Sequence, residues 1–357
     1  MKKLRAGILG ATGMVGQRFI TLLEGHPWFE VTAVAASPRS AGRKYSEAVE
    51  GRWMMKESIP ESIASLMVTD VQNLEAIKPH IDFVFCALDM TKDEIKALEE
   101  KYAAADIPVV SNNSAHRWTE DVPMIIPEVN PDHAALIDIQ RKNRGWKKGF
   151  IAVKPNCSIQ SYVPALKPLE KFGPKRMFIT TLQAISGAGK TFESWPEMVD
   201  NVIPNIGGEN EKSEKEPLKV LGTVDSSGLH LKKNLVISAQ CNRVAAADGH
   251  MANVVVEFEK NPTRDEILNA WNTWENEAQK LGLPSAPKPF LIYKEEPDRP
   301  QTRLDRDSGN GMAVTIGRLR EDNIFHWRFE ALSHNTVRGA AGGAIEMAEL
   351  LKAKGYL

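Results

Sequence analysis

The sequence predicts an α/β protein in two parts, an N-terminal doubly wound parallel sheet followed by an α+β domain built on a mixed sheet. Three observations predict it. From Leu4 to Ser111, apolar strand-like runs alternate with helix-like runs, the pattern of parallel strands joined by helical crossovers. Beyond residue 230 the texture changes: strand-like runs at 234–241, 251–258 and 312–319 read as an antiparallel or mixed sheet. The chain's 357 residues also exceed what one core usually holds. The boundary is expected close to residue 155, giving domains at 1–155 and 156–332, with a small-residue helix in 333–357 packing back on the first.

Composition narrows the function classes. A hydrophobic fraction of 42% with 25% charged residues is that of an ordinary soluble protein. A net charge of −1 gives no electrostatic reason to expect nucleic acid or an anionic membrane as partner. No stretch is long and apolar enough to span a bilayer. Cys86, Cys157 and Cys241 are far apart and show neither CxxC nor any other metal-ligand spacing, so no metal is expected and a reduced, cytoplasmic setting fits.

In chain order, residues 4–9 read as a buried strand that runs through Gly10-Ala11-Thr12-Gly13-Met14-Val15-Gly16 into a helix at 17–24. This GxxGxxG turn is a variant of the Rossmann-type dinucleotide fingerprint. Its glycines let the backbone approach a pyrophosphate, and the helix N-terminus offers free N–H donors. A second strand at 30–36 follows at the distance a βαβ unit requires; the bland alternative is a structural tight turn. NAD-binding units usually end that strand in an acidic residue, but here Ser37-Pro38-Arg39-Ser40 stands instead, favouring the 2′-phosphate of NADP unless this is an ordinary polar loop. Trp53-Met54-Met55 reads as local packing of an insertion. Strands are expected at 81–88, with Cys86 in the core, and at 108–111, around an amphipathic helix at 91–105. The loop after the last carries Arg117, either an anion clamp or a surface arginine.

The run Phe150-Ile151-Ala152-Val153 should be a buried strand stopped by Pro155-Asn156. A helix over 159–172 would place Cys157 at its N-terminus, where the dipole favours thiolate. Locally, Cys157 is either a nucleophile or a buried small hydrophobe. A strand at 178–185 ends in Ser186-Gly187-Ala188-Gly189-Lys190, a turn able to approach cofactor or substrate. Residues 206–219 carry Glu209, Glu211, Lys212, Glu214, Lys215, Glu216 and Lys219, which read as a solvated helix face. Gly249 precedes His250 at a strand entrance, putting an imidazole where it could exchange protons with a substrate, unless it is incidental.

Taken together, Gly10 to Phe19, Pro155-Asn156-Cys157-Ser158, Gln183 to Gly189, Arg243 with Gly249-His250, and Ser333-His334-Asn335-Thr336-Val337-Arg338-Gly339 resemble aspartate-semialdehyde dehydrogenases over nearly the whole chain. Asp305-Arg306-Asp307 and Gly309-Asn310-Gly311-Met312 resemble the archaeal and fungal branch. The resemblance implies NADPH-dependent reductive dephosphorylation of β-aspartyl phosphate through a Cys157 thioacyl intermediate. Gln183 would position the group under attack, and His250 would act as general acid and base. Arg243 would grip the substrate α-carboxylate with a fork that lysine cannot reproduce. Glu209 would meet the substrate ammonium, Lys212, Arg117 and Asn156 the phosphate, and Ser186 the substrate. Gly10, Thr12, Gly13, Met14, Val15 and Gly16 would serve the pyrophosphate, Ser37, Arg39 and Ser40 the 2′-phosphate end, and Gly187 and Asn335 the nicotinamide. It also implies that 156–332 is a catalytic and dimerisation domain, in a homodimer or homotetramer. The alternatives are a related thioester-forming reductase, acting on N-acetyl-glutamyl phosphate or an acyl-CoA, and a catalytically silent NADP-binding sensor. Against the sensor stands the joint presence of Cys157, His250, Gln183 and Arg243.

Overall fold

The computed structural model describes residues 2–357. Its first sheet is assembled from β1 (Leu4–Leu9), α1 (Met14–Leu23), β2 (Phe29–Ala36), β3 (Thr69–Asp70), β4 (Phe83–Cys86), α2 (Lys92–Ala104), β5 (Val109–Ser111), α3 (Leu136–Arg144) and β6 (Ile151–Val153). All six strands are parallel, in the order β3-β2-β1-β4-β5-β6, so β1 and β4 lie side by side at the point where the strand order reverses. Gly10 follows β1 at φ +90°, and a Cβ there would sit 2.2 Å from the Ala87 carbonyl oxygen. Only glycine fits that close approach. α2 begins with a capping box in which Thr91 and Glu94 satisfy each other's backbone N–H groups.

The second sheet has seven strands: β7 (Pro174–Gln183), β8 (Val202–Ile203), β11 (Val236–Val244), β12 (His250–Phe258), β13 (Leu291–Lys294), β14 (Val314–Glu321) and β15 (Trp327–Ser333). Between them lie α4 (Glu209–Val220), a small hairpin of β9 (Thr223–Asp225) and β10 (Gly228–His230), and α5 (Arg264–Asn272). The order is β13-β14-β15-β12-β7-β11-β8, with β7 and β11 parallel and β12 antiparallel to β7. Burial alternates strictly along β12, and one face of the sheet packs into a core that also contains Tyr162, Leu166, Ile267 and Trp271. The other face bears Phe178 and Val236, 45% and 65% exposed, with no element among the described residues covering them.

The last helix, α6 (Gly342–Ala353), returns to the first domain: Ala344, Met347, Leu350 and Leu351 share a core with Ile8, Phe19 and Phe85. Just before it, the buried Arg338 is gripped by Glu128 and Glu346, its Nη1 donating to Glu128 Oε1 at 2.8 Å. No helix among the described residues is long and apolar enough to cross a membrane.

Two expectations are corrected. The stretch after Cys157 is not a continuous helix but a 3₁₀ turn (Ser158–Gln160), one α turn (Val163–Leu166) and another 3₁₀ run (Lys167–Phe172). Pro164 and Pro168 remove backbone donors there and crowd the preceding turn. The charged run 209–219 is solvated only in part: Glu211 and Lys215 are exposed, Lys212 and Glu214 half-buried, but Glu209, Glu216 and Lys219 are buried.

Candidate active site

Cys157 stands where β6 meets the second domain, and its turn is fixed by hydrogen bonds. Asn156 Oδ1 accepts from the Ser158 N–H and hydroxyl, both at 2.8 Å, which ties the residue before Cys157 to the residue after it. The Asn156 N–H donates to Glu216 Oε2 at 2.6 Å and its Nδ2 to Glu209 Oε1 at 2.9 Å. A Cβ on Gly339 would come 2.8 Å from the Cys157 Cβ, so that glycine is what lets the C-terminal segment close over the turn. Cys86 and Cys241 are fully buried, whereas Cys157 keeps part of its surface open. Its thiol is not eased by a helix dipole, since a three-residue 3₁₀ turn supplies little of one. Burial pushes it up and Glu209 adds to this, while Lys154, Arg117 and Arg243 pull the other way.

Four more side chains converge on it. Gln183 and Arg243 are paired neighbours at the ends of the parallel strands β7 and β11, and His250 opens β12. Arg243 is buried and spends one nitrogen, Nη1, on the Ala184 carbonyl at 2.7 Å. His250 Nδ1 accepts the Ala184 N–H at 3.1 Å, so the neutral ring carries its proton on Nε2, which is buried with no partner. Burial, with Arg243 second, pulls the imidazole down to about 3. A Cβ on Gly187 would lie 2.8 Å from Arg243 Nη1 and 3.0 Å from His250 Nε2, so glycine keeps that corner open.

Glu209, at the start of α4, is the hub. It accepts from Asn156 at 2.9 Å, from Lys212 at 2.8 Å and from Gln183 at 3.2 Å. Burial alone would raise its carboxyl, but Lys212 and the two amides outweigh that and leave it below its ordinary value. Arg117 is buried rather than on the surface: it pairs with Glu216 at 3.0 Å and donates to the Lys154 carbonyl at 3.0 Å. Ser186 accepts from Asn335 Nδ2, and Asn335 Oδ1 accepts from the Gly249 N–H, each at 2.8 Å. Asn335 thereby ties the 186–189 turn to the entrance of the His250 strand.

A cavity of about 650 Å³ opens above the sheet ends, lined by Gly10, Thr12, Gly13, Ser37, Arg39 and Ser40, with Arg52 and Leu88. It meets the needs of a dinucleotide. The α1 N-terminus at Gly13 has no side-chain cap, leaving its N–H groups for an anion. Arg39 is exposed and makes no hydrogen bond or ion pair with the described residues. Met14 faces a smaller cavity of about 170 Å³ with Ser186, Lys190 and Thr336, on the way to the catalytic groups. Val15 and Gly16 line neither: Val15 packs on the core, and a Cβ on Gly16 would meet the Gly10 oxygen at 2.2 Å. They shape the turn from behind.

Several buried groups escaped the reading of the sequence. Glu216 holds both Arg117 and the Asn156 N–H, and the Lys219 amine donates to the carbonyls of Arg117 (2.7 Å), Val122 (2.9 Å) and Thr119 (3.3 Å). Gln17 bonds Thr12, Arg52 and Met54, joining the insertion to the glycine turn. Lys154, next to the nucleophile turn, is only 2% exposed. A signal was present for Glu209, Ser213, Glu216 and Val220, which stand at helical spacing and form one buried stripe.

Against known proteins, residues 5–137 match the family description "Semialdehyde dehydrogenase, NAD binding domain" and residues 166–338 match "Semialdehyde dehydrogenase, dimerisation domain". An aspartate-semialdehyde dehydrogenase of Archaeoglobus fulgidus is 44% identical over 347 residues, 97% of each chain. That of Saccharomyces cerevisiae is 42% identical, covering 99% of this chain and 98% of its own. The crystal structure of aspartate semialdehyde dehydrogenase with NADP from Candida albicans superposes with a TM-score of 0.89 at 41% identity, over 100% of both chains.

Proposed function

This chain belongs to the aspartate-semialdehyde dehydrogenase family, and we propose that its reaction runs through a covalent thioester on Cys157. The reaction is the reversible, NADPH-dependent reductive dephosphorylation of L-4-aspartyl phosphate to L-aspartate 4-semialdehyde, on the route to lysine, methionine, threonine and isoleucine. One observation carries the mechanistic reading. Cys157, Gln183, Glu209, Arg243 and His250 come from five separate segments and converge at the junction of the two sheets.

The Cys157 sulfur attacks the acyl carbonyl, forming a C–S bond as the C–O bond to phosphate breaks and inorganic phosphate leaves. NADPH, held by the turn at Thr12-Gly13 and the Ser37–Ser40 loop, would supply the hydride that converts the thioester to the aldehyde and returns the Cys157 thiolate. Arg243 presents its remaining donors to the α-carboxylate, and Glu209 meets the ammonium. Gln183, held by Glu209, orients the carbonyl under attack, while Lys212, Asn156 and Arg117 border the phosphate. Arg117 acts there while still paired with Glu216, so it contributes charge and turn geometry together. His250 enters as an Nε2–H donor towards oxygen that gains charge at the reacting carbon, and exchanges protons from that atom.

The site residues on the cofactor side divide the same way. Thr12, Gly13 and Met14 face the cavities and would contact the dinucleotide, and Gly187 and Asn335 border its reactive end. The domain division near residue 155 is supported by the two sheets on either side of it and by α6 returning to the first. The match to a dimerisation domain supports a homo-oligomer. We assign its interface to the uncovered sheet face around Phe178 and Val236, in a dimer or a tetramer of dimers. A cytoplasmic setting is supported by three cysteines that form no disulfide.

The test is absorbance at 340 nm with aspartate semialdehyde, phosphate and NADP, on the parent and on Cys157→Ala. The parent should form NADPH, and the variant should lose turnover while still binding NADP. An inert parent, or a variant keeping more than a few per cent of the activity, would overturn the reading. Turnover with N-acetylglutamate semialdehyde or an acyl-CoA instead would move the chain to a related reductase.

A further inference from the structure

A nucleophilic thiol at this position has an electrostatic problem. Burial and Glu209 both disfavour its thiolate, and the 3₁₀ turn offers little dipole to offset them. Three cations oppose this: Lys154, Arg117 and Arg243. Arg117 is already paired with Glu216, and Arg243 faces the space where the substrate carboxylate must sit.

Lys154 differs from both. It is 2% exposed, its amine donates to the Pro155 carbonyl at 2.9 Å, and it forms no ion pair with the described residues. A buried ammonium is costly unless an anion stands near it. The nearby carboxylates are committed elsewhere, Glu216 to Arg117 and the Asn156 N–H, Glu209 to Lys212, Asn156 and Gln183. Lys154 and Cys157 also lie against the same glycine-rich segment. A Cβ on Gly339 would be 2.8 Å from the Cys157 Cβ, and one on Gly343 would be 3.4 Å from the Lys154 Cδ.

We propose that Lys154 is a positioning residue for catalysis, a buried ammonium that holds Cys157 as the thiolate and takes the thiolate as its own counter-ion. The interaction acts through space, with no proton passed between them. The charged groups that face the pair from other elements are Arg117, Glu209, Glu216, Arg243 and Arg338. Burial pulls the Lys154 amine down, and among the groups that work to keep its proton on, the Cys157 anion comes first, so the two charges support each other. The role rests on Cys157 being the nucleophile, but its test does not.

The test is the rate at which iodoacetamide alkylates Cys157 between pH 6 and 10, read by peptide mass, in the parent, Lys154→Met and Lys154→Arg. Cys86 and Cys241 are fully buried and should stay silent. An opposite charge close by lowers a pKa by about one to three units. At the low end, Lys154→Met should raise the midpoint of the profile by about one unit. At pH 7 that leaves about tenfold less thiolate, partly recovered because a more basic thiolate is more nucleophilic, so alkylation slows roughly threefold. Above both midpoints the order should invert, the variant reacting as fast as the parent or up to about threefold faster. Lys154→Arg should keep the parent's midpoint.

An unchanged midpoint in Lys154→Met, or a rate loss equal at every pH, would overturn the proposal. If Lys154→Met loses NADP affinity or thermal stability, Lys154→Gln set against Lys154→Arg decides by the same midpoints. Should alkylated parent still turn over, the nucleophile assignment fails. Should alkylation abolish turnover while the midpoints coincide, only the role of Lys154 fails.

Discussion

Replacing Arg39 with alanine tests how the chain tells NADP from NAD. The turn Ser37-Pro38-Arg39-Ser40 is closed by the Ser40 N–H on the Ser37 carbonyl at 2.9 Å, which sets the arginine on the rim of the dinucleotide cavity. Its guanidinium is exposed and without a protein partner among the described residues, so it breaks no protein contact on meeting a 2′-phosphate. Arg52 lines the same cavity with one nitrogen spent on the Ala48 carbonyl, which leaves Arg39 as the guanidinium there with no protein partner among the described residues. A charge-assisted hydrogen bond contributes about 1.5 to 3 kcal/mol, and exposure cuts the value towards the ~1 kcal/mol of a surface pair. Arg39→Ala should therefore raise the KM for NADP roughly fivefold and leave that for NAD nearly unchanged. The difference should shrink as salt rises, because the screening length is about 10 Å at 0.1 M. Initial rates with both cofactors, on parent and variant across a salt series, provide the measurement. Equal losses for NAD and NADP, or no loss for either, would refute the assignment.

Other expectations address substrate, stability and pH. Arg243→Lys should raise the KM for aspartate semialdehyde by about tenfold or more, since a point charge replaces a fork; unaltered substrate saturation would move the carboxylate site elsewhere. Arg338→Ala leaves Glu128 and Glu346 buried without their cation and should cost about 3 to 5 kcal/mol in denaturant unfolding. A loss below about 1 kcal/mol would show that the triad does not hold α6 in place. Glu99 is wholly buried, accepts the Ser111 hydroxyl at 2.5 Å and has a second oxygen with no partner; burial pushes its carboxyl up to about 7. Because the folded state keeps a proton that the unfolded chain sheds near pH 4.5, its contribution is full below that pH and lost as pH rises to about 7. Glu99→Gln should then gain on the parent across that window, by roughly 3 kcal/mol at pH 8, and parallel stability curves from pH 5 to 8 would contradict this.

Much of the fold was legible because local rules decide it. The run from β1 through Gly10 into α1 and β2 is dictated by burial, glycine geometry and spacing, and β1 and β2 fall within a residue of their expected bounds. What escaped depends on partners distant in the chain. The charges of 209–219 look solvated from composition, yet Glu216 meets Arg117 and Lys219 meets carbonyls at 117–122, nearly a hundred residues earlier. In β15, Arg328 and Glu330 alternate with Trp327 and Phe329, and the charges masked a strand whose apolar side faces the core. At Cys157 the helix expectation failed for a local reason, two prolines. Its electrostatic consequence was not local, because the thiolate must then find support from side chains.

That substitution of side chains for a dipole explains why one cation should be buried out of the substrate's reach. An arriving substrate brings a carboxylate to Arg243 and a phosphate towards Lys212 and Arg117, and each new anion weakens the pull of those cations on the thiolate. Its ammonium offsets Glu209 in the same step, which helps the thiolate, but a phosphate carries more charge than the ammonium cancels. A site that relied only on cations the substrate touches would lose nucleophile at the moment of attack. Lys154, at 2% exposure and with its amine on the Pro155 carbonyl, lies outside that exchange. Its charge therefore remains available to Cys157 when the substrate's anions occupy the other cations, and it is Cys157 itself whose close approach to the C-terminal segment depends on glycine, at Gly339.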